Sequence, residues 1–295
     1  MNKILFDCDN TMGIKNCDVD DGLALLYLLG SPEVELMGIT TTYGNSTLDT
    51  VHTNTERMLD DLGMHSLSLH KGSRGPGQLH SEAAEFLVDM ATRHEGEITL
   101  LATGSLTNLY GACKLDPDFL SKLRAIVLMG GVTEPLYLNN TEIKELNFSC
   151  DPEASHKVLN AETDVTVMTG NLCLQARFGE KDLLRLQKYR KDHAIFDYIY
   201  GPLVDWYKTN SRKFGIRGFV NWDIVAAVYT THPFLFDNQM VKVTSTPEDL
   251  HTGRLKVSKN GCDGANVNIP AKIRDIERFN NIIFKTWAKF PPKNR

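Results

Sequence analysis

The sequence lacks any long apolar run: nowhere in its 295 residues do apolar side chains approach the ~18 in succession that a membrane-spanning helix needs. The opening stretch, Met1 to Asp7, is too short for the hydrophobic region of a signal peptide. Cysteine is scattered. The six residues (Cys8, Cys17, Cys113, Cys150, Cys173, Cys262) form no CxxC pair, so zinc spacing is absent. A disulfide framework is not expected in so long a chain without a secretory signal, and the expectation is reduced thiols in a cytoplasmic protein. Positive charge is not in excess either. Lys and Arg number 32 against 37 Asp and Glu, which removes nucleic acid and anionic membrane from the expected partners. No repeat, low-complexity tract or Pro/Gly/Ser-rich linker divides the chain, so residues 1–295 are expected to form one domain.

What is present is an alternation of short apolar runs with helical periodicity. Ile4-Leu5-Phe6, Val34 to Thr40, Ile98 to Ala102, Ala125 to Met129 and Asp164 to Thr169 have the length and composition of buried strands. Helices are predicted over Gly22–Leu29, Thr47–Leu62, Leu106–Cys113 and Pro152–Leu159, and a helical, aromatic-rich run over Leu183–Lys208. Short strand-like runs follow Pro233, and an amphipathic helix from Asp275 to Lys289 closes the chain. This rhythm predicts an α/β fold: an open, doubly wound, mostly parallel sheet flanked by helices, with its site at the carboxyl ends of the strands.

Chemistry-bearing residues fall just after those strands. Asp7, Asp9, Asp18, Asp20 and Asp21 put five carboxylates within fifteen positions. Such a cluster repels itself unless a cation neutralises it, and calcium tolerates the irregular oxygen geometry of a loop. Asp18 or Asp20 taken singly would serve as well to cap the next helix. Thr103-Gly104-Ser105 follows the Ile98–Ala102 strand, where glycine permits close approach and the Thr103 carbonyl is a candidate neutral ligand. Glu145 and Asn147 alternate on one side of an extended segment, as groups that bind sugar hydroxyls do, whereas Asp151-Pro152 is a plain helix start. Trp222-Asp223 opens an apolar helix, with an aromatic and a carboxylate side by side.

In order, these pieces resemble the inosine-uridine nucleoside hydrolase family. Its DxDxGxDDAxAL-type motif has counterparts in Asp7-Cys8-Asp9 and Asp20-Asp21-Gly22-Leu23-Ala24-Leu25. TTTYGN ending at Asn45 is similar to TTxxGN, and Thr103 to Asn108 to TGPLTN with Ser105 for proline. Leu128 to Gly131 matches LMGG, Glu145 to Ala154 resembles ExNxxxDPEA, and Trp222-Asp223 stands where the family has HD or WD. The resemblance implies a calcium ion held by Asp9, Asp21, Asp223 and the Thr103 carbonyl, with Asp9 also the general base. It implies Asp20, Asn147 and Asp223 on the ribose 2′- and 3′-hydroxyls, Glu145 and Asn139 (or Asn140) on the 5′-hydroxyl, and Asn45 close to both metal and ribose. The reaction implied is hydrolysis of the N-glycosidic bond of a ribonucleoside through an oxocarbenium-like state, in a homodimer or homotetramer.

Two departures stand out. Ten residues separate Asp9 from Asp20, where the family usually has three, so Asp18 competes for a ligand position. Trp222 replaces the histidine found in many pyrimidine-accepting members; an indole offers a stacking face and one donor N–H, which points to purines. The leaving-group acid is not identified: His80, Lys213, Arg217 and Asn221 are candidates by position only. The rival expectation is a magnesium-dependent phosphatase of the haloacid-dehalogenase type, since Phe6-Asp7-Cys8-Asp9-Asn10-Thr11 also fits its DxDxT motif, with Asp7 as nucleophile and Asp9 as acid/base. A nucleoside-binding protein without turnover is the third.

Overall fold

The computed structural model describes residues 1–258 and 261–290. The described strands are β1 (Asn2–Cys8), β2 (Val34–Thr41), β3 (Leu69–Lys71), β4 (Ile98–Ala102), β5 (Ala125–Met129), β6 (Leu136–Leu138), β7 (Thr141–Ile143), β8 (Asp164–Met168), β9 (Arg177–Phe178), β10 (Phe219–Val220), β11 (Met240–Val243), β12 (Val257–Ser258) and β13 (Ala265–Asn268). The helices are α1 (Asp20–Gly30), α2 (Leu48–Leu62), α3 (Glu82–Arg93), α4 (Thr107–Leu115), α5 (Pro152–Leu159), α6 (Gly170–Cys173), α7 (Glu180–Tyr189), α8 (Ala194–Phe214), α9 (Trp222–Tyr229), α10 (Pro247–Leu250) and α11 (Ile276–Trp287).

Nine strands form one sheet in the order β12-β11-β13-β8-β5-β4-β1-β2-β3. Pairing from β13 through to β3 is parallel, and only β11 runs against its neighbours. Strand β1 shows why the sheet is covered on both faces. Ile4, Phe6 and Cys8 join one apolar cluster with α1, α9 and α11, while Leu5 joins a second with α3, α4 and α5. A strand buried on both faces reads as a continuous apolar run, which is the pattern of parallel sheets. The expected doubly wound architecture is therefore present.

The order also fixes where a ligand belongs. From β1 the chain adds β2 and β3 on one side, then crosses back to lay β4 on the other. The carboxyl ends of β1 and β4 flank that reversal, the crevice in which open α/β sheets bind their ligands.

Several local expectations need correction. The helical run predicted over Leu183–Lys208 is two helices, α7 and α8, separated by residues 190–193. Helix α3 adds to the predicted elements: Ser81 caps it by accepting from the Ala84 amide, and Ala84, Leu87 and Ala91 recur at helical spacing. Strand β3, the β6–β7 hairpin and the β9–β10 pair are likewise additional to the predicted elements. All six cysteines are unpaired, and among the described residues no helix is long and apolar enough to cross a membrane.

Candidate active site

Asp9 is the first carboxylate beyond β1 and is fully buried. The turn after β2 closes over it: the Asn45 backbone N–H donates to Asp9 Oδ2 at 2.6 Å, and Asn45 Nδ2 donates to Oδ1 at 3.0 Å and to Asp21 Oδ2 at 3.4 Å. Gly44 makes this approach possible, because a Cβ there would lie 2.1 Å from Asp9 Oδ2. Gly44→Ala is accordingly expected to displace the Asp9 carboxylate and lower turnover by about 10²-fold, as small misplacements of reacting groups do. The check is steady-state kinetics with a thermal melt as control; an undiminished kcat would show that Asp9 need not be held in this position.

Asp20 and Asp21 form the first turn of α1, where carboxylates suit the helix dipole. Asp223 occupies the first turn of α9. Carboxylate oxygens of Asp20, Asp21 and Asp223 lie within 4.8 Å of one another, and all three residues are buried. Thr103, directly after β4, donates its hydroxyl to Asp21 Oδ1 at 2.7 Å, while its carbonyl accepts from Asn147 Nδ2 at 2.8 Å.

Among the described residues no ion pair includes Asp7, Asp9, Asp18, Asp20, Asp21 or Asp223. Burial is the leading cause that raises the pKa of every one of them, and carboxylate–carboxylate repulsion adds to it at Asp7, Asp9, Asp18, Asp21 and Asp223. Asp9 is pushed up to about 6 and Asp7 to about 7. Buried carboxylates without a counter-charge are costly unless protonated or bound to a cation. An all-oxygen set of this kind, with a backbone carbonyl beside it, fits a hard divalent cation.

Asp7 stands apart. Its Oδ1 accepts from Asn108 Nδ2 at 2.7 Å and from the Thr40 hydroxyl, and Oδ2 has no partner among the described residues. Fully buried between strand ends and α4, it braces the sheet and is not on the wall of the cavity above.

That cavity, of about 330 Å³, has Asp20, Asn45, Thr103, Asn147, Trp222 and Asp223 on its wall. Asp9 and Asp21 sit behind Asn45 and Thr103, to which they are bonded. Glu145 is also on the wall, but its carboxylate accepts from the backbone amides of Gly131, Phe148 and Ser149 at 3.0, 2.8 and 2.9 Å. It thus ties the LMGG turn to the ExN segment. Asn147 reaches both the Thr103 and Met129 carbonyls and fastens the ends of β4 and β5 together.

Asn139 is not brought to the cavity. Leu138 pairs with Thr141, so Asn139 and Asn140 make the two-residue turn of the β6–β7 hairpin, and Asn139 has the positive φ, +56°, that such a turn demands. It is exposed and donates to the Phe214 carbonyl at 3.4 Å. The leaving-group candidates thin out likewise. His80 is exposed beside Glu85, Arg217 is exposed beside Glu180, and Asn221 is buried away from the wall. Lys213 alone of the four lines the cavity.

The lengthened loop, Asn10 to Val19, is ordered against α2. Asn54 Nδ2 donates to the carbonyls of Asn10 and Met12, and the Thr11 hydroxyl closes the loop on the Asp18 carbonyl. Asp18 accepts from the Val19 amide and is in hydrogen-bond contact with Asp20. With Asn16 and Cys17 it forms part of the wall, as do Trp206, Asn210 and Phe214 of α8. Apart from Asp18, these wall residues were not expected; the only signal was the aromatic-rich composition of the α8 region.

Comparison with known proteins covers most of the chain. The family model described as inosine-uridine preferring nucleoside hydrolase matches residues 4–281. The chain is 30% identical to an inosine-uridine preferring nucleoside hydrolase of Crithidia fasciculata, covering 90% of this chain and 88% of that protein. It is 30% identical to a probable uridine nucleosidase of Oryza sativa subsp. japonica, over 76% and 75% of the two chains. Among solved structures, a plant nucleoside hydrolase superposes with a TM-score of 0.85 at 22% identity, covering 97% of this chain and 99% of that one.

Proposed function

Because the chain belongs to the inosine-uridine preferring nucleoside hydrolase family, and is a ribonucleoside hydrolase on that ground, we propose that its buried carboxylate site cleaves purine ribonucleosides with the help of a calcium ion. The observation that carries this is the convergence of Asp20, Asp21 and Asp223 within 4.8 Å, on a cavity also lined by Asn45, Glu145, Asn147 and Trp222. Asp9, Asp21, Asp223 and the Thr103 carbonyl would hold the ion, and Asp20, whose carboxylate oxygen lies within 4.8 Å of those of Asp21 and Asp223, would be a further oxygen donor. When bound, a divalent cation supplies charge that polarises a water and lowers its pKa.

The residues themselves do the rest. Burial raises the Asp9 carboxyl above the ordinary carboxylate range, and a cation held beside it would oppose that rise and keep it ionised and able to accept a proton at pH 7. It takes the proton of the attacking water as the water oxygen bonds to the ribose C1′ and the C1′–N bond breaks. Asp20, Asn45, Asn147 and Asp223 hold the ribose hydroxyls, and the surrounding carboxylates stabilise the positive charge that develops on the sugar. Glu145 shapes the 5′ side through its three backbone amides.

Base preference rests on this chain's own pocket, since one relative is named for inosine and uridine and another for uridine alone. Trp222 is half-buried on the cavity wall and presents a large aromatic face for stacking. Trp222→Ala is expected to lower kcat/KM for inosine about 10- to 100-fold, with a smaller loss for uridine. Unchanged inosine turnover would remove the stacking role and the purine preference with it. A cytoplasmic location, supported by six unpaired cysteines, and assembly as a homodimer or homotetramer complete the proposal.

Incubation with inosine, uridine and p-nitrophenyl phosphate separates this function from its rivals. Ribose release is expected from the nucleosides and no phosphate from the ester. Phosphate release would instead support the phosphatase, against which the family match over residues 4–281 already argues. Binding of a nucleoside without cleavage would support a binding protein.

A further inference from the structure

Helix α8 carries a feature that ribose binding and water activation leave unused. Its inner stripe, Ile195, Phe196, Ile199 and Leu203, is buried in the core. The stripe continues at helical spacing through Trp206 and Asn210, and there it lines the cavity. Asn210 is 4% exposed, and its Nδ2 has no hydrogen-bond partner among the described residues. The indole Nε1 of Trp206, one turn away on the same face, is likewise buried and unpartnered. A buried amide without a partner costs about 1–3 kcal/mol, so an apolar residue would serve the fold better at position 210. Two donors on one face of a cavity are matched by a ligand with hydrogen-bond acceptors. The inserted loop completes that side of the wall: Thr209 donates to Asn16 Oδ1 at 3.4 Å, joining α8 to the loop next to Asn210.

We propose that Asn210, aided by Trp206, is the hydrogen-bond donor to the departing base. This rests on the function proposed above. As the C1′–N bond breaks, its electron pair passes to the base, and the water oxygen bonds to C1′ while Asp9 takes the water's proton. Asn210 Nδ2–H donates to a ring nitrogen or exocyclic oxygen of the base, where the negative charge accumulates, and the base takes its own proton from solvent after release. A neutral donor thus does the work for which a titrating acid would otherwise be sought. The occupants that fit are bases with two acceptors on one edge.

The test compares wild type, Asn210→Leu and Trp206→Phe on inosine, uridine and 4-nitrophenyl ribofuranoside, whose nitrophenolate departs without a donor. Asn210→Leu is expected to lose about 10- to 100-fold in kcat on the nucleosides and less than about 3-fold on the nitrophenyl riboside. Trp206→Phe should show the same pattern to a smaller degree. The nitrophenyl rate also reports that each variant is folded. A parallel loss on all substrates, or no loss on the nucleosides, overturns the donor role and leaves the hydrolase function standing. A wild-type protein that releases ribose from none of the three overturns both.

Discussion

Asp9→Asn is expected to lower kcat for ribose release by about 10³-fold, within the range that a positioned general base contributes. The substitution isolates chemistry from folding better than most. Asparagine keeps a carbonyl oxygen able to accept from the Asn45 amide, which holds Asp9 Oδ2 at 2.6 Å in the wild type. It removes the only feature of Asp9 that can take a proton at neutral pH. It also deletes one charge from a cluster in which burial and mutual repulsion raise the carboxyl pKa values. The chelated variant should therefore melt at or above the temperature of the chelated wild type at pH 7, while being nearly inactive with calcium restored. Kinetics and melting curves on the same preparations check both halves. A kcat within tenfold of wild type would show that another group is the base.

The second large effect concerns stability. In unfolded chains a carboxyl has a pKa of about 3.9; in the fold Asp9 lies at about 6, Asp7 at about 7, and Asp20, Asp21 and Asp223 are all raised. Between about pH 4 and pH 7 the native state thus binds more protons than the unfolded state, and stability falls as pH rises. The chelated protein should melt progressively lower across that window. Calcium at about 100 times its Kd adds about 2.7 kcal/mol, a rise of several degrees in Tm at pH 7. At pH 5 protons occupy the same oxygens and the rise should shrink. A calcium-induced shift equal at both pH values, or none at either, would mean that these carboxylates do not form the cation site.

Much of this was legible in the sequence for a simple reason. Strands β4 and β5 were read to the residue, because a parallel strand buried on both faces is an uninterrupted apolar run bounded by turns. The residues that follow β1 and β4, Asp9 and Thr103, are placed by the same rule about where an open sheet binds its ligands. Adjacent carboxylates were harder to sort. Asp20 and Asp21 share one helical turn, and only the packing of α9 against α1 brings Asp20 into the compact trio with Asp223. Asn139 stands in the β6–β7 turn and off the cavity wall, and in sequence a polar residue near a motif looks the same whether it binds a sugar or makes a hairpin turn with positive φ. The wall built by α8 was out of reach, since Asn210 meets the cavity through tertiary packing that no local spacing encodes.

Ribose release by this chain is proposed to depend on a cation held by its buried carboxylates. The most direct measurement is ribose release from inosine by the wild-type protein, first stripped with a chelator and then titrated with calcium at pH 7. Release should fall by at least about 10³-fold on stripping and return as calcium saturates a single site. Stripped protein that hydrolyses inosine at the original rate would contradict the claim.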